Sequence, residues 1–168
     1  MCRRNDARRM SSPVSITAAG PEHLETIVAL LRAQLLEHEI DTPEHALREV
    51  VNAVVADPRH GFILLAQQNE RTAGIAYVAA HLSAEHGGMI GWLEELYVRP
   101  ESRGSGVGSA LLEEVASRAQ ELGCNALELE VVAGHERVVP LYERCGFGPL
   151  PRTRFTRMLT ASSAASHG

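Results

Sequence analysis

Three glycines stand within five residues behind an arginine in Arg103-Gly104-Ser105-Gly106-Val107-Gly108, and an amphipathic helical pattern begins immediately after them. Backbone that must approach a ligand closely needs glycine, because a Cβ would block the approach. A helix starting there directs free N–H groups and the positive end of its dipole at that ligand. Phosphate or pyrophosphate is the natural partner. The segment is not a P-loop, since no Gly-Lys-Ser/Thr follows. It also departs from the dinucleotide fingerprint GxGxxG, because Gly108 is followed by Ser109, although Glu128 or Glu130 could imitate the later acidic residue. A glycine turn without a ligand is the remaining reading, and one or two glycines would suffice for it.

Other residue types capable of chemistry are spread along the chain. Glu94 and Glu95 lie side by side in an apolar strand-like run, where alternation sends them to opposite faces and groups Glu94 with Trp92, Leu96 and Val98. Tyr142 stands among apolar residues at helical spacing, which by itself describes a core tyrosine. Glu128 and Glu130 form the polar face of another strand, either solvated or turned to a substrate. Arg152, Arg154 and Arg157 decorate a final strand. His38, His45, His60, His81 and His86 show no HExxH or other ligand spacing, so no metal site is expected.

These residues need elements to hold them. Val14–Thr17 starts as a short strand. A helix is predicted from Pro21 to about Glu37, with Leu24, Ile27, Val28, Leu31 and Leu35 on one face. Asp41-Thr42-Pro43 offers an N-cap and a first-turn proline for a second helix ending near Ala56. Strands over Phe62–Gln67, Gly74–Leu82 and Met89–Val98 follow, the first two joined by a turn at 68–71. A helix over Val107–Leu122 is closed by Gly123. Ala126–Val132 alternates as a strand. A short helix carries Leu141, Tyr142 and Cys145, and Pro140 forces it either to start there or to bend. Arg152–Leu159 reads as the last strand. The resulting order, βααβββαβαβ, is a single α/β domain spanning 13–160. Residues 1–12 and 161–168 read as disordered extensions, and Met10 is an alternative start to Met1.

Composition narrows the function classes. The 168 residues suffice for one domain with a real core, and 45% hydrophobic with 22% charged residues is ordinary for a globular protein. A net charge of −5 argues against nucleic acid as partner, so an anionic ligand must be held by local N–H groups. No apolar run approaches the roughly 18 residues of a membrane span. The 3 cysteines, Cys2, Cys124 and Cys145, are odd in number and lack CxxC spacing, which points away from a disulfide scaffold or zinc and toward a reducing cytoplasm. The basic start MCRRNDARRM has no apolar stretch and does not read as a signal peptide.

Taken together, Leu96-Tyr97-Val98-x-Pro100-x-x-Arg103-Gly104-x-Gly106-x-Gly108…Leu111-Leu112 and Leu141-Tyr142-Glu143-Arg144-Cys145-Gly146-Phe147 resemble two motifs of the GNAT superfamily of acyl-CoA-dependent N-acyltransferases, in the right order and spacing. The likeness covers about residues 14 to 159 and implies a GNAT-like mixed, largely antiparallel sheet flanked by helices. It implies acetyl-CoA as co-substrate, with its pyrophosphate on the amides of Arg103, Gly104, Ser105, Gly106, Val107, Gly108 and Ser109. The pantetheine arm would pair like a strand with Leu96, Tyr97 and Val98, and a backbone N–H near Val98 would polarise the thioester carbonyl. The resemblance makes Tyr142 the general acid and Glu94 the general base, with Glu95 as second choice. His135 stands where the family often has an asparagine that holds the cofactor arm, and Val138 where it often has alanine. Glu37, Glu39 and Asp41 fall in a connection that borders the family's acceptor pocket, where they suit a cationic amine or form a solvated loop. The expected activity is acetylation of a primary amine of a small molecule, in a cytoplasmic protein that could form a homodimer. Acetylation of a protein terminus or lysine, and non-catalytic sensing of acyl-CoA, are the competing readings.

Overall fold

The computed structural model describes residues 13–159; the predicted extensions 1–12 and 161–168 lie outside the described residues. The chain runs β1 (Ser15–Ala18), α1 (Leu24–Glu37), α2 (Glu44–Ala56), β2 (Gly61–Gln68), β3 (Arg71–Ser83), β4 (Gly88–Val98), α3 (Val107–Glu121), β5 (Ala126–Leu129) and α4 (Val139–Arg144). The strands form one sheet in sequence order, antiparallel from β1 to β4 and parallel between β4 and β5. Parallel pairing of β4 and β5 needs a crossover, which α3 supplies. The β2–β3 hairpin closes through Asn69 and Glu70, both at positive φ (52° and 61°), the twist that a two-residue turn between twisted strands requires.

Alternation along β2 and β3 sorts the core onto two faces. Phe62, Leu64, Ala76 and Val78 face α3, against Val107, Leu111, Leu112, Val115 and Ala119. Ile63, Leu65 and Ile75 face α1 and α2, against Ile27, Leu30, Leu31, Leu47 and Val51. Each such fully buried aliphatic side chain contributes about 1.5–3 kcal/mol. Packing of this kind, not propensity, holds α3, whose first turn contains Gly108. Gly123 (φ +75°) ends α3, with the N–H of Cys124 donating to the carbonyl of Ala119 at 2.9 Å. Pro140 falls in the first turn of α4, so the helix starts at the proline and does not bend there.

Two elements differ from expectation. β5 ends at Leu129 and does not reach Val132. Residues 152–159 form no strand and are exposed throughout. Pro149 and Pro151 withhold two amides from any ladder just ahead of that segment. Its arginines meet carboxylates instead, Arg152 at Glu85 and Arg154 at Glu130.

A third difference matters most. The β3–β4 register runs Tyr77↔Glu95 and then Val78↔Leu93, so Glu94 is an extra residue, a β-bulge. The bulge cancels the expected alternation. Leu93, Leu96 and Val98 all pack in the α3 cluster, whereas Tyr97 is buried in the α1/α2 cluster. Glu94 therefore does not share a face with Leu96 and Val98.

Gly61 shows how tightly this sheet is built. It has φ +125°, and a Cβ there would sit 1.9 Å from the Val78 carbonyl oxygen. Gly61→Ala is expected to cost roughly 3 kcal/mol, lowering the melting temperature by about 10 °C. Gly87→Ala, also at positive φ but with open space around it, is expected to cost only about 1 kcal/mol. Calorimetry on the two variants checks the contrast, and equal losses would contradict it.

Candidate active site

The bulge governs the backbone that the site uses. β4 pairs with β5 only from Ile90↔Ala126 to Leu93↔Leu129. Beyond that point β5 has ended, and among the described residues Glu94–Val98 has no strand neighbour on that side. The N–H of Arg99 donates to the carbonyl of Ala73 at 2.8 Å, which makes Arg99 and Ala73 a hydrogen-bonded pair. Hydrogen-bonded and non-hydrogen-bonded pairs alternate in an antiparallel ladder, so the N–H and C=O groups of Val98 and Leu96 turn away from β3, toward the open side. The Val98 carbonyl confirms this direction by accepting from Arg103 Nε at 2.9 Å. The open side thus presents backbone groups of Leu96 and Val98, while those of Tyr97 turn to β3.

The glycine segment closes one end of the slot. Gly104 and Gly106 have φ +75° and +93°, and Gly106 is the N-cap of α3. No side chain caps the helix, and its ladder begins with the Ala110 N–H on the Gly106 carbonyl at 3.0 Å. The amides of Val107, Gly108 and Ser109 precede the first intrahelical bond, as the opening amides of a helix must. A Cβ on Gly104 or Gly106 would meet nothing within 4 Å, so both glycines border open space and are required for their backbone angles. Gly108 is constrained differently, since a Cβ there would lie 3.3 Å from Leu141 of α4. A 15-residue helix with uncapped leading amides and open space before them fits a pyrophosphate.

Side chains in the segment are already engaged. Arg103 Nη2 donates to both carboxylate oxygens of Glu37 (2.6 and 2.8 Å), and its guanidinium carbon lies 5.8 Å from the Tyr97 ring centre. It ties the end of α1 to the glycine loop, so Glu37 is paired within the protein, unlike either a solvated acid or one open to a cationic amine. Ser105 Oγ donates to the Ser102 carbonyl at 2.6 Å and faces Gln68 Oε1 at 3.2 Å. Both side chains are thus engaged within the protein.

A cavity of about 1150 Å³ opens beside the slot, lined by Trp92, Glu94, Glu128, Glu130 and Tyr142 among others. Burial pushes the Glu94 carboxyl above its ordinary range, while Arg154 and His81 pull it down. Glu95 is more enclosed. Burial raises it to about 7, against a hydrogen bond from Gln34, and the negative charge of Glu94 adds to the rise. Burial also raises the Tyr142 phenol, and Glu95 raises it further. Its ring meets Phe147 edge to face at 5.9 Å. Glu94, Glu95 and Tyr142 are therefore neighbours around one slot. His135 stands at the mouth of the β5–α4 connection, with its ring perpendicular to His38 at 4.5 Å and its Nδ1 without a hydrogen-bond partner.

Several participants were not recognisable beforehand. Gln34 carries no signal in the sequence beyond its helix, yet it contacts Glu95. Glu128 is not a solvated strand residue: its side chain is 15% exposed and accepts from His86 Nε2 at 2.7 Å if that nitrogen is protonated. Arg154 does not decorate a strand but sits over Trp92. Among the described residues no group of His, Cys, Asp or Glu is arranged to hold a metal ion, and no helix is long and apolar enough to cross a membrane.

Comparison with known proteins agrees with this geometry. Residues 24–147 match the acetyltransferase (GNAT) family. An uncharacterised N-acetyltransferase of Schizosaccharomyces pombe is 30% identical over 158 residues, 88% of this chain and 95% of the relative. Thialysine N-epsilon-acetyltransferase of Bos taurus is 42% identical over 55 residues, 33% of this chain and only 32% of the relative's length. Among solved structures, a predicted acetyltransferase from Clostridium acetobutylicum with acetyl-CoA superposes with TM-score 0.73 at 18% identity, covering 86% of this chain and 96% of that one. The chain is thus an acyltransferase that uses acetyl-CoA, and it belongs to the GNAT acetyltransferase family.

Proposed function

We propose that this enzyme transfers the acetyl group of acetyl-CoA to a primary amine of a small molecule by direct attack, with Glu94 as general base and Tyr142 as general acid. The convergence of the Leu96–Val98 edge, the start of α3, Tyr142 and a carboxylate-lined cavity carries the reading. The amides of Arg103 through Ser109 hold the pyrophosphate, and the exposed edge of Leu96, Tyr97 and Val98 receives the pantetheine arm, with His135 beside it. Acetyl-CoA supplies the activated acetyl group as a thioester.

The remaining chemistry is proton movement and charge stabilisation by the protein. An alkylamine of pKa near 10.4 is about 0.1% neutral at pH 7.4, a cost of roughly 4 kcal/mol. Glu94 faces the cavity, and burial has raised its basicity, so it takes the amine proton directly or through water. The Val98 N–H, directed into the slot, stabilises the oxygen that gathers charge. Tyr142 returns a proton to the leaving sulfur. A phenol near 10 protonating a thiolate near 8.5 is uphill by about 2 kcal/mol, and burial makes Tyr142 weaker still as an acid. That favours proton transfer concerted with departure of the sulfur, from a phenol held protonated across the working range. The matched segment of the thialysine N-epsilon-acetyltransferase supports a small-molecule acceptor. Two free cysteines, Cys124 and Cys145, suit a reducing cytoplasm.

Release of free thiol from acetyl-CoA in the presence of an amine panel tests the reading, and failure to bind CoA at millimolar concentration would overturn it. Glu94→Gln and Tyr142→Phe should each lower kcat about 100-fold while leaving the CoA dissociation constant within about twofold. A larger loss in Glu95→Gln than in Glu94→Gln would move the base to Glu95.

Glu95 also sets a pH dependence. Its carboxyl rises from an ordinary 4.5 to about 7 in the folded chain. A raised carboxyl favours the folded state fully below the unfolded value and loses that contribution as pH climbs through 7. Thermal stability should therefore fall between pH 5 and pH 8, by several degrees more in the wild type than in Glu95→Gln. Parallel pH profiles for the two proteins would remove the assignment.

A further inference from the structure

We infer that the acceptor carries at least two positive charges, and that its distal ammonium binds where the Arg154 guanidinium lies, between the Trp92 ring and the Glu130 carboxylate. The inference rests on the proposed acetylation of an amine at Glu94 and adds the class of that amine: an aliphatic diamine or longer polyamine.

The geometry shows a cation already bound. The guanidinium carbon of Arg154 lies 5.0 Å from the centre of the Trp92 ring, and its Nη1 is 2.7 Å from Glu130 Oε2. An aromatic face beside a carboxylate is the pairing that retains ammonium and guanidinium groups. Arg154 also acts on Glu94, which places this cation next to the proposed base.

The two halves of the contact differ in how they are held. Trp92 and Glu94 belong to β4, and Glu130 directly follows β5, so the aromatic and acidic half is built on the sheet. The cation comes from residues 152–159, which belong to no helix or strand. Phe155, Met158 and Leu159 of that segment are 90%, 87% and 83% exposed and bury almost nothing. Arg154 and Glu130 are themselves 57% and 43% exposed, so their ion pair is readily exchanged. Glu128 is a poorer subsite: it is more enclosed, accepts from His86, and lies 4.0 Å from Arg152, which is paired with Glu85. Glu130 is the carboxylate an incoming cation can take over. A monoamine would spend its only charge at Glu94. A neutral tail would leave Arg154 in place, and an anionic tail would meet Glu128 and Glu130.

Trp92 is the only tryptophan of the chain, so its fluorescence reports occupancy of this subsite without turnover. Diamines of three to five carbons and the matching monoamines are titrated into the CoA-bound protein, and initial rates are measured with acetyl-CoA on the same compounds. Half-saturation for the best diamine should lie about tenfold below that of its monoamine. Glu130→Gln should remove most of that difference. Arg154→Gln should tighten the diamine about threefold more than the monoamine, since both feel the loss of its charge beside Glu94 but only the diamine gains the vacated subsite. Both positions are exposed, so neither variant threatens the fold. Equal binding of diamine and monoamine, or weaker diamine binding in Arg154→Gln, overturns the inference. So does a preference for ω-amino carboxylates or phosphonates that Arg154→Gln abolishes, which would make Arg154 the receptor of an anionic tail. A saturable, diamine-specific signal without acetylation supports the subsite and counts against the proposed activity alone.

Discussion

Between Leu93 and Glu95, β4 carries one more residue than β3 opposite it, and the architecture of the site follows from that excess. A bulge bends its strand and increases the local twist. Here β4 pairs with β5 before the bulge and with no strand on that side after it. The same insertion shifts the alternation, so that Leu96 and Val98 pack under α3 beside Leu93 while Tyr97 enters the opposite core. It also brings Glu94 and Glu95 to a common neighbour: both carboxylates help raise the Tyr77 phenol, behind the larger effect of burial. Without the extra residue, the sheet would continue flush to β5, and the strand edge would be consumed by backbone pairing.

Around that split the protein distributes charge unevenly. The glycine segment offers uncapped amides to an anion, and its one arginine side chain is neutralised by Glu37. The opposite side of the slot gathers Glu94, Glu95, Glu128 and Glu130, whose nearby cations are Arg152 and Arg154. An overall charge of −5 therefore conceals a slot with uncapped helix amides at one end and carboxylates at the other. Arg103 contributes by position more than by charge. Its contacts with Glu37, the Val98 carbonyl and the Tyr97 ring fasten α1, β4 and the glycine loop to one another.

The glycine segment and α3 were legible in the sequence because both features are local: glycine permits the positive φ of the loop, and a periodic apolar stripe specifies the helix. The three central strands were legible for the same reason, whereas Pro140 allowed either a helix start or a bend and only the structure puts it in the first turn of α4. The bulge was not, because Trp92–Val98 reads as an uninterrupted strand and the extra residue exists only relative to β3. Arg152–Leu159 was misread because alternation suggests a strand without saying whether a neighbour is available to pair with it. Gln34 beside Glu95, and Arg154 over Trp92, join residues about 60 positions apart in sequence, a separation at which spacing carries no information.

A split in the middle of a sheet is also an internal edge. Exposed strand edges recruit other chains, and proteins ordinarily blunt them with charge, proline or a covering helix. The edge of Leu96–Val98 is recessed, with α3 and α4 packed against the face beneath it. A second polypeptide strand would need neighbours on both faces for its side chains, and here one face is already filled. A slender, side-chain-free arm has no such requirement. The recess thus keeps the outward-turned backbone groups at Leu96 and Val98 away from the flat approach that pairing with another sheet edge requires.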